Sequence, residues 1–553
     1  MNLLRLFNKN IETDIYVACL PPPEKYYKFS LMFSLISSIV IPLPLYFLFN
    51  TNIVLLIPLS FITMLAFSSY FPKILARFRA SDIDIELPFF LIYMSTLSIV
   101  MTPLQVLEEV SKAPKFVFNQ IRFEARRFCI EVRVYGKDPL VALSEVAKTT
   151  PHKGLRSILE GYVTAVKSGS NPVDYLIKQS ELFIKRRIAE IRAKVENLVS
   201  LMESFVSVAI FTVVTLFSLS VSSEALPVLA GQMLTTLRVP KTLIVFSYVL
   251  PLLLAMMFML LAKSMQARSP IGEYRQYAPI ILIHIVTITP AAYLILMAPY
   301  LLPKSWITIP TVITITLLIT SSLSTIIDMK YERFYSSIRR GLRNFVKELR
   351  ELRRVGVSPE KAIDALSQRD YGKFSKYVRL LNEYIMHYRS LKEYVAEFVK
   401  DVRDWLAIAL MFTFVDTLEA GGVTVEVLDR YSSYVDSIYL IETERKARLK
   451  ILRLMPFVTA MIQFLTIYAV LYIFDTIIVG LGKGSLIENI GPMVFSILSI
   501  TNYIYGLVAG MLSEEKLSSG FKYAAILMGI TLFLLVVGEY LVKGIFSLIG
   551  GGA

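Results

Sequence analysis

Two kinds of hydrophobic pattern alternate along this chain. In the first, apolar residues occupy nearly every position. In the second, they recur at helical spacing between charged residues. Nine stretches of the first kind run over about 29–49, 52–71, 198–221, 242–262, 279–300, 305–327, 454–479, 491–511 and 523–547. Each is long enough to cross a bilayer, which takes roughly 17–25 mostly apolar residues in a helix. Being apolar all round, they suit burial in lipid or protein on every side. Two shorter runs, LPFFLIYMSTLSIVM at 87–101 and WLAIALMFTFVDTL at 405–418, fall short of a bilayer. Pro88, near the head of the first, suits a helix N-terminus. Both runs are expected as buried helices of soluble modules.

The second pattern predicts helical bundles. Leu155, Ile158, Leu159, Tyr162 and Val166 fall on one helical face, as do Trp405, Ile408, Phe412, Val415 and Leu418. Helix starts are marked by a capping residue followed by proline at Thr102-Pro103, Asn171-Pro172 and Ser358-Pro359, with Gln105 completing a capping box at the first. The expectation is an all-α, polytopic membrane protein with about nine transmembrane helices and two duplicated cytoplasmic helical-bundle modules. Its parts are an N-terminal segment with two spans at 1–71, a first module at 72–197, four spans at 198–327, a second module at 328–453 and three spans at 454–553.

The duplication is written in the sequence itself. VKSGSNPVDYL at 166–176 and LEAGGVTVEVL at 418–428 share an apolar approach, a glycine (Gly169, Gly421) and a restart to Leu176 or Leu428. In the same register Asp174 falls on Glu426, Glu190 on Glu442 and Lys194 on Lys446; Thr102-Pro103 matches Ser358-Pro359 at a slightly larger offset. Such self-similarity marks an internal repeat. Gly169 and Gly421 are read as structural turn residues, each ending a helix in the left-handed conformation that glycine adopts without steric cost. The closing helices of the modules, 178–197 and 435–453, lead into the third and seventh spans. A force on the bundles would therefore move spans.

Composition agrees with a membrane protein: 55% hydrophobic, 18% charged, mean hydropathy +0.58, where a soluble domain carries about one quarter charged residues. Charge placement sets the orientation. With the N-terminus inside, only Arg238, Lys241, Lys304, Lys483 and Lys543 of the 58 lysines and arginines fall on outer segments. The positive-inside bias then gives a multi-pass plasma-membrane protein, N-terminus and both modules cytoplasmic, C-terminus outside. IYVACL at 15–20 is too short an apolar core for a signal peptide and runs into Pro21-Pro22-Pro23. Cys19 and Cys129 lie on the reducing side, so no disulfide framework is expected, and two cysteines with three histidines make no metal set.

A search for catalytic chemistry returns little. There is no G-x-x-x-x-G-K-[ST] loop, no H-E-x-x-H pair, no G-x-S-G and no Gly-Asp dipeptide. No enzyme activity and no cofactor are expected. Asp82, Asp84 and Glu86 resemble a cation cluster, but acidic residues before a helix start are common electrostatic caps, and that reading is taken. Glu203, Asp475 and Glu539 are intramembrane ionisable groups, functional candidates by default. Glu539 has Lys543 one turn on for an ion pair; Glu203 and Asp475 lie near opposite faces, where snorkelling competes with a proton path. The basic clusters Arg126-Arg127, Lys185-Arg186-Arg187, Arg339-Arg340 with Arg343, and Arg353-Arg354 are candidates for a working surface. Anionic membrane lipids account for part of them, and an acidic protein face for the rest. Nucleic acid is not expected, because the interleaved aromatics read as bundle core.

Taken together, ELPFFLIYMSTLSIVMTPLQVLEEV (86–110), GYVTAVKSGSNPVDYL (161–176) and LEAGGVTVEVL (418–428) resemble the type II secretion system F domain. The nine-span duplicated layout resembles the archaeal platform proteins of archaella and type IV pili, the FlaJ/TadC-like branch. The second copy departs most, having Gly421-Gly422 where the first has an Asn-Pro restart. The resemblance implies a non-enzymatic membrane platform beneath a growing filament. It implies as partners a hexameric secretion ATPase, bound through cytoplasmic loops for which the basic clusters are the candidate docking surface, and prepilin- or archaellin-like subunits, with a homodimer as a possible state. The alternative class is a repeat-built secondary transporter, with its site at mid-membrane.

Overall fold

The computed structural model describes residues 8, 11–40, 53–229, 250, 253–254, 256–261, 263, 274–297, 299–303, 305–421, 423–449, 454–480, 482, 484–514 and 516–550. Among these, every regular element is helical. The α-helices are α1 (Ile11–Ala18), α2 (Pro23–Val40), α3 (Ile53–Leu97), α4 (Pro103–Lys112), α5 (Gln120–Arg133), α6 (Pro139–Thr149), α7 (Lys153–Lys167), α8 (Pro172–Leu229) and α9 (Tyr274–Leu296). They continue with α10 (Thr308–Arg354), α11 (Pro359–Ser367), α12 (Ser375–Met386), α13 (Leu391–Asp401), α14 (Trp405–Glu419), α15 (Val425–Leu449), α16 (Met455–Gly480), α17 (Leu486–Glu514) and α18 (Gly520–Gly550). The chain divides into two compact units: Met1–Arg186 with Arg268–Ile271 and Arg339–Val435, and Arg187–Ala267 with Gly272–Ile338 and Asp436–Ala553.

The predicted caps form. The Thr102 hydroxyl accepts from the Gln105 N–H at 3.4 Å, and the Gln105 side chain lies 2.9 Å from the Thr102 N–H, a reciprocal capping box. The Ser358 hydroxyl accepts from the Lys361 N–H, and the Asn171 side chain from the Val173 N–H. Each satisfies an amide that the first helical turn leaves without an intrahelical partner. Pro88 corrects an expectation. It starts no helix; it lies inside α3, which runs through Pro58, Pro72 and Pro88 as one 45-residue helix. Proline removes one ladder bond and crowds the preceding turn. Here that cost is offset by burial on both sides of it, with Leu87, Phe89, Phe90, Leu91 and Tyr93 all in the core.

In the first unit, helices follow α3 in an order that recurs after α10. Helices α4–α7 have 10, 14, 11 and 15 residues, and α11–α14 have 9, 12, 11 and 15. Both series lie in the same unit. Of the two short runs, 87–101 is buried over 87–97 as the end of α3, with Val100 exposed beyond it, and 405–418 is buried as α14, as expected. They also pack on each other: Phe89 meets Trp405 edge-on at 4.4 Å and Tyr93 stacks on Phe412 at 5.8 Å, between ring centroids. On its other side α14 sends Phe414 to Phe345 of α10 and to Tyr431 of α15. Buried against both, Ala407 through Val415 are in the core without a break.

Among the described residues five helices are long and apolar enough to cross a membrane: Tyr277–Leu296, Thr308–Arg354, Met455–Gly480, Leu486–Glu514 and Gly520–Gly538; all lie in the second unit except the part of Thr308–Arg354 from Arg339 on. Each coincides with one of the last five predicted spans. The spans predicted at 52–71 and 198–221 fall on α3 and α8, apart from residue 52; those at 29–49 and 242–262 lie partly outside the described residues. The α17–α18 pair approaches closely. A Cβ on Gly506 would come within 2.3 Å of the Ala524 Cα, and one on Gly510 within 2.1 Å of the Gly520 Cα. Gly506-x-x-x-Gly510 thus faces Gly520-x-x-x-Ala524, the small-residue packing that lets apolar helices approach in a membrane. Polar side chains among these helices pair off: Asn502 with Thr531, Thr314 with Ser499, Thr287 with Thr320, and His284 with Tyr503.

Candidate functional site

The strongest constellation of functional groups is the seam between α3 and α14. The Tyr93 hydroxyl donates to Asp416, and the Trp405 indole N–H donates to the Val117 carbonyl at 3.3 Å. Phe118 closes the seam edge-on to Phe90, Tyr93 and Phe412. Burial pushes the Asp416 carboxyl up to about 6; the Tyr93 hydrogen bond opposes the rise, Glu419 and Glu109 add to it, and Lys392 counters it. Burial, and then the Asp416 charge, hold the Tyr93 hydroxyl well above its ordinary range. Two polar links thus tie α14 to α3 and to the segment between α4 and α5 inside an aromatic seam. Sequence reasoning missed the Tyr93–Asp416 link, since its partners stand 323 residues apart.

Glu86 does act as a cap, but for a helix distant in sequence. Its carboxylate accepts from the Asn119, Gln120 and Ile121 N–H groups at 2.9 to 3.2 Å, closing the start of α5. Burial raises its pKa, and those three bonds oppose the rise. Beside it Arg79, itself buried, bridges Gln120 at 3.1 Å and Glu124 at 2.7 Å.

The basic clusters split into inward and outward members. Arg127 turns to Glu124 and Thr149. Arg339 lies 3.6 Å from Asp404, the N-cap of α14. Arg353 donates to the carbonyls of Val423 and Val357, tying the turn after α10 to the turn after α14. Arg354 pairs with Asp429 at 2.7 Å, and Arg187 with Glu190 at 3.2 Å. Arg126, Lys185, Arg186, Arg340 and Arg343 are exposed. Arg122, which the sequence did not single out, joins Arg126: both Nε–H groups donate to the Ser111 carbonyl, at 3.4 and 3.0 Å. That carbonyl is among the last four of α4, which lack helical partners. Desolvation first, and the Arg126 charge second, lower the Arg122 pKa.

Both repeated glycines are left-handed, Gly169 at φ +74° and Gly421 at φ +69°. At the first, the Gly169 N–H reaches the Val166 carbonyl and the Ser170 N–H reaches Ala165, the paired bonds of a Schellman turn. At the second, the Gly421 N–H reaches Leu418 in the same way.

The intramembrane carboxylates have separate surroundings. Asp475 accepts from the Ser485 hydroxyl at 2.8 Å and the Ile487 N–H at 3.1 Å, so it caps α17. Glu203 stands exposed on α8, and the Glu539 side chain lies outside the described residues. Elsewhere in the second unit Glu332 receives Lys516 at 3.3 Å and Lys446 at 3.6 Å. Arg192 pairs with Glu444 at 2.8 Å, across an interval of 252 residues. That interval equals the spacing between the two glycine turns, Gly169 and Gly421.

Comparison with curated proteins and with solved structures returned no match. The family model of the type II secretion system protein F matches residues 345–472, from the second half of α10 through α15 and into α16. The match takes in LEAGGVTVEVL and lies on the copy expected to depart more from the pattern; the pieces at 86–110 and 161–176 fall outside it. Such a domain is found in platform proteins of type II secretion and type IV pilus assembly, and residues 345–472 of this chain are similar to it.

Proposed function

We propose that this chain is the membrane platform of an archaeal type IV filament machine, coupling a cytoplasmic hexameric secretion ATPase to extraction and assembly of prepilin-like subunits. The observation that carries this reading is the secretion protein F match over 345–472. The helix order recurring in α4–α7 and α11–α14, and the Arg192–Glu444 meeting at the repeat interval, support descent of both modules from one F-type domain. In this reading nine spans place both modules in the cytoplasm and the C-terminus outside. The platform performs no chemistry of its own. The α8 helix, continuous from Pro172 to Leu229, carries motion from module to bilayer. Anionic lipids meet Lys185 and Arg186, and a homodimer is the working assembly.

The test is deletion of the gene with complementation, scored by filament counts and by recovery of the ATPase with the solubilised chain. Loss of filaments on deletion, and an ATPase that co-purifies in a salt-sensitive manner, are expected. Salt sensitivity follows because exposed charges are screened over about 8–10 Å near physiological ionic strength. Unchanged filaments, or reaction of a single cysteine placed near Asp138 or Ser367 in a cysteine-free background with an impermeant thiol reagent in intact cells, would overturn the reading.

A further inference from the structure

Helix α3 carries a weak point between its predicted span and the first module. Pro72 lies inside it and has no N–H. The Ser68 carbonyl, one turn back, therefore loses its ladder donor, and the proline ring crowds that same carbonyl. Ser69 adds to the weakness. Its hydroxyl donates to the Leu65 carbonyl at 2.8 Å, a back-bond of the kind that often bends a helix. Interior proline is a usual site of sharp kinks in long helices. Yet α3 stays helical throughout residues 71–80.

The N-terminal segment supplies what this stretch lacks. At the head of α2 the Tyr26 hydroxyl donates to the Ser68 carbonyl at 2.7 Å. The Asn8 side-chain amide donates to the next carbonyl, Ser69, at 3.2 Å. On the other side of the proline, Arg79 donates to the Val17 carbonyl and to the Cys19 sulfur. Between these ties the segment is packed, with Ile11, Ile15, Tyr26, Tyr27 and Leu65 in one buried cluster. The Tyr27 hydroxyl also joins α2 to Glu12 of α1 at 3.4 Å. Cys19 turns the chain from α1 to α2 at φ +56°, a left-handed backbone uncommon outside glycine. Such a conformation persists where its surroundings impose it, and Arg79 holds two residues of that turn.

The second series has no such weak point. Its first helix, α10, runs 47 residues with its one proline, Pro310, in the first turn, where the missing N–H has no ladder partner to lose. A freed carbonyl at a membrane edge needs a donor from a neighbouring element; α3 has one to satisfy there and α10 does not. We propose that Asn8, α1 and the head of α2 form a splint across Pro72, which makes α3 one stiff rod from its predicted span to the first module. Resting on the platform reading above, that rod is a second rigid link beside α8, and Tyr26 is a positioning residue acting through Ser68.

The test is hydrogen exchange of the nanodisc-embedded full chain over residues 73–76, the turn after the proline. Tyr26→Phe is expected to speed exchange there at least about fivefold, the effect of one buried acceptor left unsatisfied. Pro72→Ala in the same chain should recover that factor, because alanine gives the Ser68 carbonyl its ladder donor back. Pro88→Ala should not. A packing role for Tyr26 would not be recovered in this way. Asn8→Ala, which frees the Ser69 carbonyl, should speed the same amides by a smaller factor, and it decides the matter if Tyr26→Phe does not insert. Unchanged exchange in these variants would overturn the splint, as would failure of Pro72→Ala to recover it or equal recovery by Pro88→Ala. In complemented cells Tyr26→Phe should lower filament counts and the added Pro72→Ala should restore them. Full counts from a chain whose exchange has quickened would overturn stiffness of α3 as a need of the machine. No filaments from the unaltered gene would overturn the platform reading and leave the splint standing.

Discussion

Helices α7 and α14 hold the same place in the two series, each 15 residues long and each ending in a left-handed glycine. Their fates differ. In α7, Lys153, Glu160, Thr164 and Lys167 stay in water while Leu155, Ile158, Leu159 and Tyr162 face the core. In α14 the positions equivalent to Lys153 and Glu160 are Trp405 and Phe412, which pack on α3, while Phe414 packs on α10. The repeat fixes where a helix begins and ends; the second partner decides how many faces it must make apolar. An all-round apolar run of membrane-like composition but sub-bilayer length is the trace of that second partner.

The largest test removes the second partner. Phe412→Ala should destabilise the solubilised chain by about 3–5 kcal/mol, the range for emptying a buried aromatic site. Glu160→Ala, its exposed equivalent, should stay within about 0.5 kcal/mol. Denaturant unfolding followed by Trp405 emission compares them directly. Similar losses at both sites would remove the distinction between the helices.

What the sequence made legible is what it encodes locally. The Thr102, Asn171 and Ser358 caps, the Gly169 and Gly421 turns and the last five spans each depend on residues within one helix length. What it hid depends on distant partners. Glu86 reads as a cap, yet its target is α5, more than 30 residues on. Asp475 reads as an isolated intramembrane carboxylate until Ser485 and Ile487 fold back to it. Arg353 reads as docking charge until Val357 and Val423 take its N–H groups. Pro88 misled because tertiary burial on α3 outweighed its local cost as a helix breaker.

The second test titrates the seam. Asp416 sits at about 6 in the folded chain because of burial, against about 3.9 in an unfolded one. The folded state therefore holds the proton more tightly. Stability from this group is full below about pH 4 and is lost as pH rises through about 6. The total is on the order of 3 kcal/mol, since each pH unit between the two titrations is worth about 1.36 kcal/mol. Asp416→Asn should flatten the stability profile between about pH 4 and 6, with Tyr93 keeping an acceptor. Thr164, the equivalent position on α7, carries no charge, so Thr164→Ala should leave the profile unchanged. An Asp416→Asn chain with the original slope would exclude Asp416 as its source.

At the turns the comparison predicts sameness. A Cβ on Gly169 or Gly421 meets nothing within 4 Å, so substitution there costs backbone strain alone. Valine should lower stability by about 1–2 kcal/mol at either site, and asparagine, which tolerates left-handed backbone, by less. Arg353 braces only the second turn, so filament assembly should suffer more from Gly169→Val than from Gly421→Val. Thermal unfolding alongside filament counts separates the two effects; equal stability for Val and Asn would deny the strain argument.

The smallest effect tests where the copies agree. Arg192 and Glu444 occupy equivalent repeat positions and pair with each other at 2.8 Å, whereas Tyr93 and Asp416 join unequal positions. The α8–α15 pair thus stands at the interval between the glycine turns, 252 residues, whereas the α3–α14 pair stands at 323. The pair is partly exposed, at 51 and 28%, and such pairs contribute about 0.2–1 kcal/mol. Reversal of either charge should cost that much. The exchange Arg192→Glu with Glu444→Arg should restore it, because opposite charges then face each other again. A double-mutant cycle on the solubilised chain reads the coupling. Failure of the exchange to recover what each reversal loses would mean that the two positions are not interchangeable and that the pair's strength depends on its order.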